Sequence, residues 1–256
     1  MSSNSKIASR VGANPPHENN RPGLRAPGWL ANRPAIGWTL FVLGSLVFAG
    51  LTLNLFAAGP LLAWDQALAT SLPAIGLSSP PYVKPLMNAG FYLGKEVIMA
   101  VDILLALWFI YKKYWQELSM VVIGWSGSAL IFYTLSTLIG RARPSSMIWI
   151  IVAIPGFPSG HAVASVTFYG LMTYLLLPRM RTVFAKTVLI ATALLLTLFI
   201  GFSRIFTGGH YLTDILAGYA VGMAWSGLAY TLIEIYFQNH LAQKSQNKVM
   251  DHSKRN

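Results

Sequence analysis

The sequence predicts an all-α protein, a six-span transmembrane helical bundle with an interfacial active site. Three observations predict it. Of the 256 residues, 54% are hydrophobic and only 11% charged, with a mean hydropathy of +0.52, where a soluble domain carries roughly 25% charged residues. Six apolar runs have spanning or near-spanning length, and basic residues collect on alternate connections between them. Several ionic side chains nonetheless sit at the ends of these runs, in GRARPSS at 140–146, PSGH at 158–161 and SRIFTGGHYLTD at 203–214. A charge near the bilayer centre costs at least ~2.5–3.5 kcal/mol, so such a collection implies a site for an anion.

Crossing a ~30 Å hydrocarbon core takes about 17–25 apolar residues. The six runs are Trp38–Ala58, Val97–Tyr111, Leu118–Ile139, His161–Leu177, Val183–Ser203 and Leu212–Phe237; the second is short and contains Asp102. The first run and its polar leader are too long for a cleaved signal peptide and read as a retained span. Met147–Phe157 is about half a span long and holds Pro155 and Gly156, so it reads as a surface-lying or re-entrant loop.

Residues 1–35 are rich in Pro, Asn, Ser and Arg and read as a disordered cytoplasmic tail. Residues 36–237 form the six-span domain, and 238–256 a polar cytoplasmic C-terminal tail. In the outer connection, punctuated by Pro60, Pro73, Pro80, Pro81 and Pro85, Leu61–Leu72 has the pattern of a short interfacial helix. No internal repeat stands out.

Charge sets the orientation. Lys6, Arg10, Arg21, Arg25, Arg33, Lys112, Lys113, Arg179, Arg181, Lys186, Lys244, Lys248, Lys254 and Arg255 share one face if six spans alternate, and that face is cytoplasmic. The other face keeps Lys84, Lys95, Arg141, Arg143 and Arg204. Both termini are then cytoplasmic in a cell-membrane protein, and the three patches fall on the non-cytoplasmic side. The net charge of +11 is mostly this topology signal, which argues against nucleic acid as a partner. The absence of cysteine excludes disulfides, thiolate metal sites and cysteine nucleophiles.

Ser159 follows Pro158 and precedes an apolar helical run, where the N–H groups of Gly160 and His161 would face a phosphate or sulfate. The same residues also fit an ordinary helix cap with a surface histidine. His210 and Asp214 stand at i, i+4, close enough for the carboxylate to accept a ring N–H and free the other nitrogen as base or nucleophile. A structural hydrogen bond gives the same spacing, whereas a metal pair is disfavoured by the cations nearby. Arg143 and Arg204 fit a tetrahedral oxyanion bidentately, or each anchors a span end by snorkelling, the role assigned to Arg141. Gly208 and Gly209 permit a sharp turn before His210. Asp102 and Glu234, inside spans, carry no assigned role.

Together these parts suit phosphoryl transfer with no metal or cofactor. His210 attacks phosphorus, Asp214 orients it, and His161 protonates the leaving alkoxide and then activates water. Arg143, Arg204, Ser159 and Gly160 hold the phosphate oxygens.

Arg143-Pro144, then Pro158-Ser159-Gly160-His161, then Ser203-Arg204 with His210 and Asp214 following, resembles the type 2 phosphatidic acid phosphatase superfamily. The resemblance implies a six-helix membrane fold and metal-independent hydrolysis of lipid phosphates or diphosphates, with membrane lipids as surroundings. The family pattern places a lysine seven positions before Arg143, where this chain has Ser136; Lys95 is a candidate compensating cation. Expected substrates are polyprenyl diphosphate, phosphatidylglycerol phosphate or phosphatidic acid. The alternative is an anion or lipid transporter, or a weakly active binding protein, using the same basic site. Transporters, however, tend to bind near the midplane between internal repeats.

Overall fold

The computed structural model describes residues 28–144 and 154–255. In chain order the helices are α1 (Trp29–Asn32), α2 (Pro34–Phe56), α3 (Leu61–Ser78), α4 (Val83–Gly94), α5 (Glu96–Lys112), α6 (Trp115–Ile139), α7 (Gly160–Leu176), α8 (Val183–Phe206) and α9 (Leu212–Arg255); a 3-10 turn, Leu177–Arg179, follows α7. All described secondary structure is helical, as the apolar runs predict.

The six-span count needs correction. Five helices among the described residues are long and apolar enough to cross a membrane: Pro34–Phe56, Trp115–Ile139, Gly160–Arg179, Val183–Phe206 and Leu212–Ser253. The sixth expected span, α5, has 17 residues. At 1.5 Å per residue it rises roughly 25 Å, at the lower limit of what a crossing takes.

Helix α9 is the central post, packing on α2, α6 and α7, while α8 lies at the periphery. Of their most apolar windows, 61% is buried in α9 and 6% in α8. Bilayer tails are as apolar as leucine, so close backbone approach and shape hold such helices together. Gly44 of α2 illustrates this, since a Cβ there would lie 2.5 Å from the Ala220 carbonyl oxygen. Gly218 likewise lets α9 reach α7, where a Cβ would sit 2.6 Å from both the Ser159 oxygen and the Ala162 Cβ. The main core joins Phe109, Met120, Leu171, Leu175, Tyr230 and Ile233 from α5, α6, α7 and α9.

The outer connection holds more helix than its prolines suggest. The segment expected at Leu61–Leu72 runs on through Pro73 to Ser78, and α4 follows it. Pro85 falls in the first turn of α4, where a missing N–H costs nothing. Both helices cover the α8–α9 turn: Gly76 abuts Phe206, Gly90 abuts Ser203, and Gly94 abuts Ile200 and His161.

The tails also differ from expectation. Within residues 28–35 the chain is already helical, and Glu234 accepts the N–H groups of Gly28 (3.0 Å) and Ala31 (2.9 Å) as well as the Tyr174 hydroxyl. Glu234 therefore anchors the start of the fold. At the other end α9 continues as a helix to Arg255, beyond the boundary set at 237. Asp102 borders a cavity of about 10 Å³ with Ser128, Thr167 and Tyr230, room for about one water. The expected loop Met147–Phe157 lies outside the described residues except for its last four positions.

Candidate active site

The three patches meet at one end of the bundle. After α6, Gly140 takes a left-handed turn (φ 67°) that delivers Arg141 and Arg143. The segment before α7 supplies Gly156 and Ser159, and the α8–α9 turn, with Gly208 at φ 72°, supplies His210.

His210 is 1% exposed and precedes α9, so the pair with Asp214 is not two residues of one helix as the spacing suggested. Asp214, in the first turn of α9, reaches back instead. Its Oδ2 accepts the Tyr211 N–H at 2.9 Å and lies 3.4 Å from His210 Nδ1. Nδ1 is also 2.9 Å from the Gly156 carbonyl oxygen, which can only accept, so the ring proton sits on Nδ1. Nε2 then carries the lone pair, and Arg143 donates to it through Nη1 at 2.8 Å. Burial pushes the His210 imidazole below its ordinary range. The hydrogen bond and charge of Asp214 oppose that shift, and the charges of Arg143 and Arg204 add to it.

Arg143 is held by backbone carbonyls. Its Nε donates to the Ile154 carbonyl (3.1 Å), Nη1 to that of Gly209 (2.9 Å) and Nη2 to that of Pro155 (3.5 Å). Burial lowers its pKa from the ordinary value, opposed by the charge of Asp214.

Ser159 occupies the N-cap position of α7, yet its Oγ makes no cap bond and has no partner among the described residues, although the residue is fully buried. His161 Nε2 and Arg204 Nε are likewise buried without partners among the described residues. The Phe91 ring of α4 joins these two residues, with its centroid 4.9 Å from the His161 ring and 4.9 Å from the Arg204 guanidinium carbon. His161 is also within electrostatic reach of His210, Arg204, Arg143 and Lys95. Gly160 packs on Phe132, whose ring a Cβ would meet at 3.0 Å. The seven expected catalytic and phosphate-binding residues are thus gathered. Lys95 stands beside them, exposed at the α4–α5 junction next to Gly94.

Two residues depart from expectation. Arg141 is no snorkelling anchor: Nη1 donates to Asp214 Oδ1 (2.6 Å) and Thr213 Oγ1 (2.7 Å), and Nη2 to Asp65 Oδ2 (2.7 Å). Its guanidinium also stacks on Tyr211, 4.2 Å from the ring centroid. Asp65, fully buried, accepts from the Thr213 N–H and hydroxyl as well. The sequence signal for Asp65 is its standing as the only charged residue of α3. Ser136 donates to the Pro155 carbonyl at 3.0 Å and so braces the segment that holds Arg143.

Fold and site together define a membrane protein whose histidines, arginines and buried polar atoms gather at one end of a helical bundle. Residues 88–237 match the sequence profile of the PAP2 superfamily, and the chain belongs to that family. A curated relative, phosphatidylglycerophosphatase B of Bacillus subtilis (strain 168), is 26% identical over 146 residues, 56% of this chain and 71% of the relative. A solved structure, the transmembrane PAP2-type phosphatidylglycerolphosphate phosphatase from Bacillus subtilis, superposes with a TM-score of 0.62 at 22% identity. That match covers 76% of this chain and 94% of the other, and shows the shared fold. The protein is accordingly an enzyme of the lipid phosphatase class, which sets the transporter reading aside.

Proposed function

We propose that this enzyme hydrolyses a phosphate or diphosphate carried on a lipid, without metal, through a phosphohistidine formed on His210. The observation that carries the proposal is a complementarity. His210 Nε2 bears the lone pair, and Ser159 Oγ, His161 Nε2 and Arg204 Nε stand buried and, among the described residues, unpartnered in the same constellation.

In the first step Nε2 attacks phosphorus, the P–N bond forms and the P–O bond to the lipid breaks. His161, as an imidazolium stabilised by the substrate's phosphate charge, gives its proton to the departing oxygen. Arg143, Arg204, Ser159 and the Gly160 N–H bind the oxygens left on phosphorus and stabilise their charge in the transition state. Asp214 balances the positive charge that His210 acquires. In the second step His161, now neutral, takes a proton from water as the water oxygen attacks phosphorus. The P–N bond breaks, inorganic phosphate leaves, and His210 and the imidazolium are restored.

Counting the short α5 as a crossing, both termini are read as cytoplasmic and the site as non-cytoplasmic, because most basic residues outside the site lie in the tails and connections at the opposite ends of the helices. The named relative supports phosphatidylglycerol phosphate as the first substrate to test, with polyprenyl diphosphate and phosphatidic acid beside it.

The test is phosphate release from those three lipids by detergent-solubilised enzyme in EDTA, with His210→Ala as the control. Release should persist in EDTA and fall by at least ~10³-fold in the variant. A requirement for divalent metal, or activity that survives loss of His210, would overturn the mechanism.

A further inference from the structure

Asp214 does not stand alone behind His210. Its second oxygen is held by Arg141, and Arg141 is held in turn by Asp65, so that a carboxylate–guanidinium–carboxylate chain runs from the α9 start to α3. Every link is short: 2.6 Å from Arg141 to Asp214, 2.7 Å to Asp65, and 2.9 Å from the Thr213 N–H to Asp65. Both carboxylates are fully buried and the Arg141 side chain is 10% exposed. A guanidinium alone with Asp214 would neutralise the carboxylate that must balance a cationic His210. A second carboxylate on the far side of Arg141 leaves the chain with one net negative charge facing the histidine.

We propose that Arg141 and Asp65 are positioning residues for the hydrolysis, Arg141 fixing the Asp214 carboxylate and Asp65 offsetting the Arg141 charge so that Asp214 keeps its field on His210. The inference rests on the reading of His210 as nucleophile and Asp214 as its partner. Helix α3 thereby serves the site, because it brings the balancing charge and grips the first turn of α9 through Thr213.

The two residues are predicted to act on His210 with opposite sign. His210 is faced by Asp214 from α9, Arg143 from the segment after α6, Arg204 from α8 and His161 from α7. Lys95 and Glu96, at the start of α5, reach His161 and Arg204 respectively. Against that constant background, Asp65→Asn removes a negative charge and should move the acid limb of kcat/KM to lower pH. Arg141→Gln removes a positive charge and should move it to higher pH. Each shift should be roughly 0.5 pH unit, with kcat at the optimum reduced roughly 10- to 100-fold and KM nearly unchanged. Arg141→Lys keeps the charge but cannot bridge two carboxylates as a fork, so kcat should fall while the limb stays in place.

The experiment measures pH–rate profiles of these three variants and of His210→Ala in detergent, with monodispersity and Tm of each. Opposed shifts support the proposal. Limbs that stay at the wild-type pH, or move the same way, overturn it and leave a structural brace. Should Arg141→Gln fail to fold, Asp65→Asn and Arg141→Lys decide: a limb displaced only in the first supports the charge role, and any other pattern refutes it. Activity surviving in His210→Ala would instead refute the phosphohistidine reading.

Discussion

The two sides of the site are built on opposite principles. Around the α9 start, both oxygens of Asp214, both oxygens of Asp65 and both terminal nitrogens of Arg141 are engaged at 2.5–3.4 Å. On the other side, at the start of α7 and on α8, Ser159 Oγ, His161 Nε2 and Arg204 Nε are buried with no partner among the described residues. A buried polar atom left unbonded costs about 1–3 kcal/mol, so three gathered beside two arginines favour a site that a bound group completes. The bonded side holds shape, and the unbonded side is where a tetrahedral oxyanion recovers that cost on binding. The comparison also separates the two histidines: His210 is fixed through Nδ1 before any substrate arrives, while His161 is packed by Phe91 with Nε2 free.

The sharpest way to break this division is Arg204→Ala. Arg204 lies on the unbonded side, 4% exposed, and its loss removes a donor aimed at charge that develops on the phosphate oxygens. We expect kcat/KM for a lipid phosphate to fall by roughly 10²–10³, with Tm nearly unchanged or raised because a buried cation is gone. Arg204→Lys should recover only part of the loss, since a point charge replaces a fork stacked on Phe91. A drop below about 10-fold for the alanine variant, measured by phosphate release, would mean that the unpartnered atoms do not mark the phosphate site.

The bonded side is tested by pH. Burial lowers the His210 pKa from the ordinary 6.5, with Asp214 opposing and the two arginines adding to the shift. The attacking form is neutral, so a lowered pKa keeps it available below pH 6.5, and the His210 acid limb of kcat/KM should lie below that value. The linkage has the matching sign. Between its folded pKa and 6.5 the unfolded histidine binds the proton that the folded one refuses, so stability falls as pH drops through that window. Tm in detergent should decline from pH 7 toward pH 5, and decline less in His210→Gln. An acid limb at or above 6.5 would place His210 in a more solvated or more acidic setting than the geometry describes.

How much of this was legible before the fold follows from where each constraint lives. His161, Ser159, Gly160, Arg204, His210 and Asp214 fall in short patches whose chemistry is tied to local spacing, and the structure gathers all of them. The pairing of Arg141 with Asp65 crosses 76 positions, and nothing in GRARP says that its first arginine turns inward. The end of α3 beyond Leu72 and the whole of α4 were hidden because Pro73, Pro80, Pro81 and Pro85 interrupt the apolar pattern, although Pro85 sits harmlessly in a first turn. Helix α5 has an apolar run too short to tell a span from a partial one, and α9 outlasts its apolar stretch because a polar helix in water needs no apolar run.

The smallest expected effects come from the two residues that bear on the lysine missing from the family pattern. Ser136, fully buried, spends its hydroxyl on the Pro155 carbonyl, two residues from the Phe157–Pro158 bond and within the segment that holds Arg143. Ser136→Ala removes one buried hydrogen bond worth about 1 kcal/mol, so kcat should fall by no more than about fivefold, through a less well-held Arg143. Lys95 acts from the rim. An exposed cation contributes at most about 1 kcal/mol to a nearby anion, and salt screens it. If Lys95 supplies part of the missing charge, Lys95→Ala should raise KM about threefold at low ionic strength. The effect should vanish in 1 M salt, where the screening length is about 3 Å, and kcat should not move. A KM that does not respond to Lys95→Ala at any salt concentration would remove Lys95 from the site and leave Arg143 and Arg204 as the cations that hold the phosphate.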